Sequence, residues 1–260
     1  MNPPRIQEVR AYWELNPVSA AAVPHPLGSP EYFAYYDRLR EKNESLGFSL
    51  RLHEYNLFPG KRVLDVGCGN GYVLSRYALA GATVCGVDLT NTAIALCRGR
   101  FRLLGLAGHF AVGSAEELPF EKNSLDCVCC MGVLHHTPDT ERAVAEIFRV
   151  LRPGGRLIVM VYHRNSAIHR IKLPVTKIIT GKTVAQLVNE VDGTGNPKGD
   201  VYSKSELLQL LKQFKSLDVF AGLLPRWTVL PWLVRVVPRL LYHKVERKWG
   251  WFLYAKGVKP

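Results

Sequence analysis

From Lys61 onward, short β-branched apolar runs alternate with stretches whose apolar residues recur every three or four positions. That rhythm is the signature of stacked βαβ units and predicts an α/β fold with a mostly parallel sheet. The runs predict strands at 62–66, 82–87, 108–112, 125–130 and 156–162, and the amphipathic stretches predict helices at 71–80, 91–104 and 140–150. Thr90 and Asp139 stand where N-caps are needed, and Pro153-Gly154-Gly155 is expected to stop the third helix before its strand. Residues 1–60 read as helices rich in aromatics, with a helix start at Ser29-Pro30-Glu31 and a break at Phe58-Pro59-Gly60. After Val161 the rhythm changes. Residues 164–202 are basic and helical at first, then turn-rich from Asp192 to Gly199. Ser203-Lys204-Ser205-Glu206 is a capping box opening a helix to about 214, followed by strands near 216–222 and 249–258. The predicted organisation is an N-terminal helical lid at 1–60, then one binding domain at 61–260 with insertions at 164–202 and 223–247.

Composition narrows the class. The 260 residues, 47% of them hydrophobic, suffice for one large domain and exclude wholesale disorder, collagen and a small disulfide scaffold. The net charge of +12 is uneven: residues 1–160 carry 17 Lys and Arg against 16 Asp and Glu, whereas residues 161–260 carry 17 against 6. The excess points to an anionic substrate, a phospholipid or a nucleic acid near the last hundred residues, or to a solvated basic face. The six cysteines mostly lie in apolar runs, as small buried hydrophobes in a reducing compartment do. The first residues carry no apolar signal segment, and no stretch reaches about 18 uncharged apolar residues, so a cytoplasmic location is expected.

The most informative stretch runs from Val63 to Tyr72, where a buried strand enters the turn Gly67-Cys68-Gly69-Asn70-Gly71 and opens a helix. Glycine lets the backbone approach a ligand and adopt positive φ. The spacing is G-x-G-x-G rather than the G-x-G-x-x-G of a dinucleotide loop, and Asp65 closes the strand just before it. A carboxylate there disfavours pyrophosphate and favours an ammonium group. Asp88, at the end of the second strand, is placed to accept hydrogen bonds from ribose hydroxyls. The expected ligand is a nucleoside with a cationic tail and no phosphate.

These residues resemble the class I S-adenosylmethionine-dependent methyltransferases. Asp65 to Gly71 looks like that family's first motif, including Gly67, Cys68 and Gly69, and Asp88-Leu89 like its ribose-binding acid with an adenine-packing neighbour. Ser114, Ala115 and Glu116 fall in the segment similar to the one that contacts the adenine edge, with Ser114 where many relatives have Asp. Met131 and Gly132 lie in the fourth-strand loop, and Leu151-Arg152-Pro153-Gly154-Gly155 resembles the turn into the fifth strand. The resemblance implies a Rossmann-like sheet of seven strands, the last antiparallel, with S-adenosyl-L-methionine lying across the strands' carboxyl ends.

Methyl transfer needs an aligned nucleophile, water exclusion and, for a protonated acceptor, a general base. His135 and His136 follow the fourth strand at the edge where the methyl should lie; one is expected to act as base or to orient the acceptor, the other reading being a structural histidine bonded to backbone. They lack obvious carboxylate partners in sequence, so no metal is expected. Tyr12 and Tyr36 are candidates to shield a sulfonium with their rings, although packing alone also explains such residues. Asp192 and Asn196, in the glycine-rich insertion, are candidates for an acceptor pocket or members of an ordinary surface loop, and His163, just after the fifth strand, is a further edge candidate. The apolar, arginine-bearing stretch from Trp227 to Tyr242 suits a membrane interface, a greasy pocket wall or an ordinary packing contact. The leading expectation is a small-molecule methyltransferase acting on an O, N or C acceptor that is apolar or anionic. A nucleic-acid methyltransferase, supported only by the basic C-terminal part, and a non-catalytic partner subunit are the competing classes.

Overall fold

The computed structural model describes residues 4–224 and 239–260, with side chains described for 4–224 and 242–260. Ten α-helices are described: α1 (Ile6–Leu15), α2 (Pro30–Asn43), α3 (Leu46–His53), α4 (Tyr72–Leu79), α5 (Asn91–Leu103), α6 (Thr140–Val150), α7 (Leu173–Thr180), α8 (Val184–Asn189), α9 (Lys204–Leu210) and α10 (Arg239–Trp249). The strands are β1 (Arg62–Val66), β2 (Thr83–Asp88), β3 (His109–Val112), β4 (Leu125–Met131), β5 (Leu151–His163), β6 (Val201–Tyr202), β7 (Lys215–Gly222) and β8 (Phe252–Val258). The main path is β3-β2-β1-β4-β5-β8-β7. Only β8 runs antiparallel to its neighbours on both sides, as the resemblance implies. The two-residue β6, which the sequence did not suggest, pairs with the carboxyl end of β5.

Each face of the sheet carries its own core. On β1, Leu64 and Val66 face α6, packing near Val144 and Ile147. Val63 faces the other way, toward α4 and α5, with Leu74, Cys97 and Phe101. Strands β1 and β4 are buried on both sides, which is why they read as continuous apolar runs rather than alternating ones. Thr90 and Asp139 cap α5 and α6 as expected, their side chains accepting from Ala93 N and Arg142 N.

Three boundaries differ from expectation. Strand β5 begins at Leu151 because Leu151 pairs with Leu125 across a register shift. Pro153-Gly154-Gly155 therefore lies within extended chain, where Gly154 N donates to Lys259 O and Lys259 N to Gly155 O, at 2.9 and 3.0 Å. Helix α9 ends at Leu210 because Leu211 and Phe214 turn into the core. Strand β8 starts only at Phe252, since α10 extends to Trp249.

Before β1, α2 and α3 are packed into the body rather than laid over it. Tyr32, Phe33 and Tyr36 join the core beside Tyr72, Cys97 and Phe101, and Arg100 pairs with Asp37 at 2.9 Å. Helix α1 has a different role. Its Glu14 accepts from Asn91 N and Thr92 N at 2.9 and 2.8 Å, tying it to the start of α5, and Ile6, Val9 and Trp13 face a cleft. Most of the stretch from Trp227 to Tyr242 lies outside the described residues.

Candidate active site

Strand order reverses between β1 and β4, and the crevice beyond the carboxyl ends of these strands is where open α/β sheets bind ligands. A cleft of about 950 Å³, mouth included, opens there. Its floor is the glycine turn. Gly67, Gly69 and Gly71 all have positive φ, at 71°, 52° and 77°. At Gly67 a Cβ would stand 2.1 Å from Val133 Cγ2, so a side chain there would push the turn into the β4 loop. At Gly71 a Cβ would meet Cys97 Sγ at 2.8 Å, so this glycine serves the contact between the turn and α5.

Of the expected cofactor residues, Gly67, Gly69, Asp88, Leu89, Ser114, Ala115, Met131 and Gly132 line the cleft. Asp88 holds the turn as well as facing it: Oδ2 accepts from Gly69 N at 3.0 Å, and Oδ1 from Thr90 N and Oγ1 at 3.0 and 2.9 Å. Burial raises its carboxyl above the usual range despite those bonds. Asp65 stands beneath the turn, 3% exposed, with Oδ1 bonded to nothing. Burial first, and then the neighbouring Asp88, push its carboxyl well above the usual range. Two desolvated acids at adjacent strand ends make this corner hungry for a cation.

Besides Asp65, which lies beneath the turn and outside the cleft lining, five expected cofactor residues lie elsewhere. Cys68 turns its Sγ toward Gly86 and into the core, and Gly71 faces α5. Glu116 accepts from Asp139 N at 2.9 Å and so fastens the start of α6 rather than an adenine. Tyr36 packs against Tyr32 and Tyr72, and Tyr12 donates to the Asp192 carbonyl at 2.9 Å. The ring nearest the cleft from α1 is instead Trp13, and from α2 it is Tyr32. Tyr32 Oη and Asn70 Nδ2 are buried polar atoms with no partner among the described residues beyond one another, and both residues line the cleft. Sequence reasoning missed them: Asn70 sits inside the motif that was read, and Tyr32 is one of several aromatics that only packing distinguishes.

The two histidines separate sharply. They lie on the 3-10 turn Leu134–His136, after β4. His136 lines the cleft and packs edge-on against Trp13, with ring centroids 5.0 Å apart. Its Nδ1 meets the Lys198 carbonyl, an acceptor only, so Nδ1 carries a proton. Its Nε2 stands 3.1 Å from Asp192 Oδ2, the oxygen that also accepts the Tyr162 hydroxyl. His135 is buried behind it, tilted over the Tyr162 ring at 3.9 Å, and neither ring nitrogen has a partner. Burial, then His136 and Lys198, push His135 well below the ordinary histidine range, so its ring is neutral.

The expectation that the histidines lack a carboxylate is corrected: Asp192, 56 residues on in the first insertion, supplies one. Candidate ligand atoms of His135, His136 and Asp192 lie within 4.8 Å of one another. Asn196 is buried and holds the same loop, its Oδ1 accepting from Lys198 N at 3.2 Å. His163 is bonded to backbone, its Nδ1 2.9 Å from the Gly250 carbonyl.

Comparison with known proteins agrees with this geometry. Residues 64–159 match the family described as methyltransferase domain. The chain is 35% identical over 111 residues to the ubiquinone/menaquinone biosynthesis C-methyltransferase UbiE of Vibrio cholerae, covering 41% of this chain and 43% of that protein. It is 46% identical over 101 residues to a phthiotriol/phenolphthiotriol dimycocerosates methyltransferase of Mycobacterium leprae, covering 38% and 36%. The matched region is thus less than half the length of these curated relatives. Among solved structures, phosphoethanolamine N-methyltransferase 2 of Haemonchus contortus superposes with a TM-score of 0.64 at 18% identity, over 97% of this chain and 60% of that one. The cyclase SpnF superposes with a TM-score of 0.60 at 19% identity, over 100% and 98%. The shared fold therefore does not by itself dictate methyl transfer. The glycine turn, the strand-end acids and the family match over 64–159 identify that segment as a class I S-adenosylmethionine-dependent methyltransferase domain.

Proposed function

We propose that this chain binds S-adenosyl-L-methionine in the cleft and moves a methyl group to an O, N or C acceptor on a small molecule, apolar or anionic, such as a quinone, lipid or natural product. The observation that carries the reading is the buried acid pair at the glycine turn, with Asp65 Oδ1 left without a partner. An ammonium group satisfies that oxygen, and a cation beside the two acids favours their ionised form, which a diphosphate would oppose. Beyond one another, Tyr32 Oη and Asn70 Nδ2 keep unused donor hydrogens on the cleft wall, which suit a ligand carboxylate. Asp88 retains lone pairs for ribose hydroxyls, and Leu89, Ser114 and Ala115 form an adenine-sized wall. When bound, the cofactor supplies a methyl group already activated by its positive sulfur.

The chain's own work is alignment, water exclusion and proton handling. Helix α1 covers the cleft with Ile6, Val9 and Trp13, and acts as the lid. The general base in this reading is His136. The Lys198 carbonyl fixes its Nδ1–H and so leaves Nε2 to receive the acceptor's proton, and Asp192 balances the charge that results. Nε2 faces Asp192 at 3.1 Å, so in this reading the acceptor hydroxyl displaces that contact. Asp192 Oδ2 accepts the Tyr162 hydroxyl and stands 3.1 Å from Nε2, and in this reading the cluster serves proton handling rather than a metal. His135 supports the His136 ring by a tilted contact, with centroids 4.2 Å apart, and takes no proton.

The names of the relatives, which concern quinones and a lipid, support a small-molecule acceptor over a nucleic acid. The reading includes a cytoplasmic location and peripheral membrane contact through the basic C-terminal part. Incubation with methyl-labelled cofactor and a lysate split into lipid, small-molecule and nucleic-acid pools tests it. Label is expected in the lipid or small-molecule pool; label in nucleic acid would overturn the acceptor class, and no label anywhere would overturn the activity.

A further inference from the structure

The first insertion carries a helix turned inside out. Residues 168–172 form a π-helical stretch that runs directly into α7. On one side Ile168 and Leu173 are buried with Tyr162, Leu187, Val188 and Trp251. On the other, Ile171, Val175, Ile178 and Ile179 recur every few residues and point outward, the last two 84% and 79% exposed. Core packing does not account for that second face. A contiguous apolar stripe on a soluble surface marks an interaction site.

The charge around it specifies the partner. From Arg164 to Asn189 the chain has five basic residues and no acidic one; Arg164 pairs with Glu206 and Lys182 with Glu190, so the cations set along the stripe are Arg170, Lys172 and Lys177. Beside the stripe a second cleft is lined by Arg170, Ile171, Ser203, Lys204, Lys248 and Trp249, among others, and no described residue of its lining is a carboxylate. Ile171 belongs to both features, and Trp249 is 42% exposed at the cleft edge. Exposed isoleucines, an edge tryptophan and a cationic, hydroxyl-bearing recess are the combination that partitions into the boundary of an anionic bilayer. No helix among the described residues is long and apolar enough to cross a membrane, so this contact lies on the surface of the bilayer.

We infer that the stripe Ile171, Val175, Ile178 and Ile179, with the basic recess at Arg170, Lys204 and Lys248, docks the chain on anionic phospholipid. The same insertion continues through α8 to Asp192, so the membrane-facing helix and the carboxylate beside His136 belong to one structural unit. The inference stands apart from methyl transfer, because vesicle binding tests the surface and cofactor binding tests the cleft.

The test is co-sedimentation of the full chain with phosphatidylcholine vesicles, with or without phosphatidylglycerol. The wild-type chain is expected to pellet with the anionic vesicles, to remain largely in solution with the neutral ones, and to be released as salt rises. The double variant I178S/I179S is expected to bind anionic vesicles about tenfold or more weakly, while cofactor affinity and melting temperature stay unchanged. Absence of wild-type pelleting, equal binding to neutral vesicles, or undiminished binding by I178S/I179S would each overturn the inference. So would a concentration-dependent dimer that the same substitutions abolish, with no vesicle binding.

Discussion

The substitution Asp65→Asn separates what the acid pair does for the ligand from what it costs the fold. Asp65 is 3% exposed, its Oδ1 has no partner, and burial with Asp88 nearby raises its carboxyl well above the usual range. A raised folded-state value means the native state holds this proton more tightly than the unfolded chain. Asp65 therefore contributes stability at low pH that is lost as pH rises from the unfolded-chain value through the folded value. An unsatisfied buried acceptor costs about 1–3 kcal/mol, and a neutral amide avoids part of that. The ligand-free variant is expected to melt about 2–4 °C higher at neutral pH, from about 1 kcal/mol regained, with the gain vanishing in acid. Cofactor binding should move the opposite way. Losing a charge-assisted bond to an ammonium group removes about 1.5–3 kcal/mol, a weakening of roughly 10- to 100-fold. Thermal melts across pH and titration calorimetry read the two effects separately. Wild-type affinity in D65N would refute the ammonium assignment, and a lower melting temperature at every pH would refute the desolvation argument.

Other outcomes follow from the same geometry. His136→Ala should lower turnover about 10²–10⁴-fold for a protonated acceptor while cofactor affinity stays within a few-fold, measured by steady-state rates and calorimetry. His135→Phe should leave the rate and the melting temperature near wild type or slightly raised, because the ring's nitrogens satisfy nothing; a rate loss equal to that of His136→Ala would contradict the division of labour. Gly67→Ala, which places a methyl 2.1 Å from Val133 Cγ2 at positive φ, should cost about 1–3 kcal/mol in a denaturant melt and abolish measurable cofactor binding. Dialysis against EDTA should leave the methylation rate unchanged, and restoration by an added divalent ion after such treatment would show that His135, His136 and Asp192 hold a metal.

Much of this was legible in the sequence for a physical reason. The interior strands are buried on both faces, so β1 and β4 announce themselves as apolar runs, and the turn that needs positive φ announces itself as glycine. The strand-end acids Asp65 and Asp88 were found because their position relative to that turn is local. What sequence could not supply is contact between distant segments. Which aromatic faces the cleft depends on how α1 and α2 settle on the body, and Tyr32 and Trp13, not Tyr36 and Tyr12, face inward. Glu116 read as part of a binding motif, yet the Asp139 backbone claims it from the start of α6. The carboxylate of His136 lies 56 residues away in a turn-rich insertion, where periodicity carries no information.

The central claim is that the cleft selects a nucleoside with a cationic tail. Titration calorimetry of the wild-type chain with S-adenosylmethionine, and then with NAD, tests it most directly. One S-adenosylmethionine should bind per chain, and NAD should neither bind nor compete. Absence of binding by S-adenosylmethionine, or its displacement by NAD, would contradict the account.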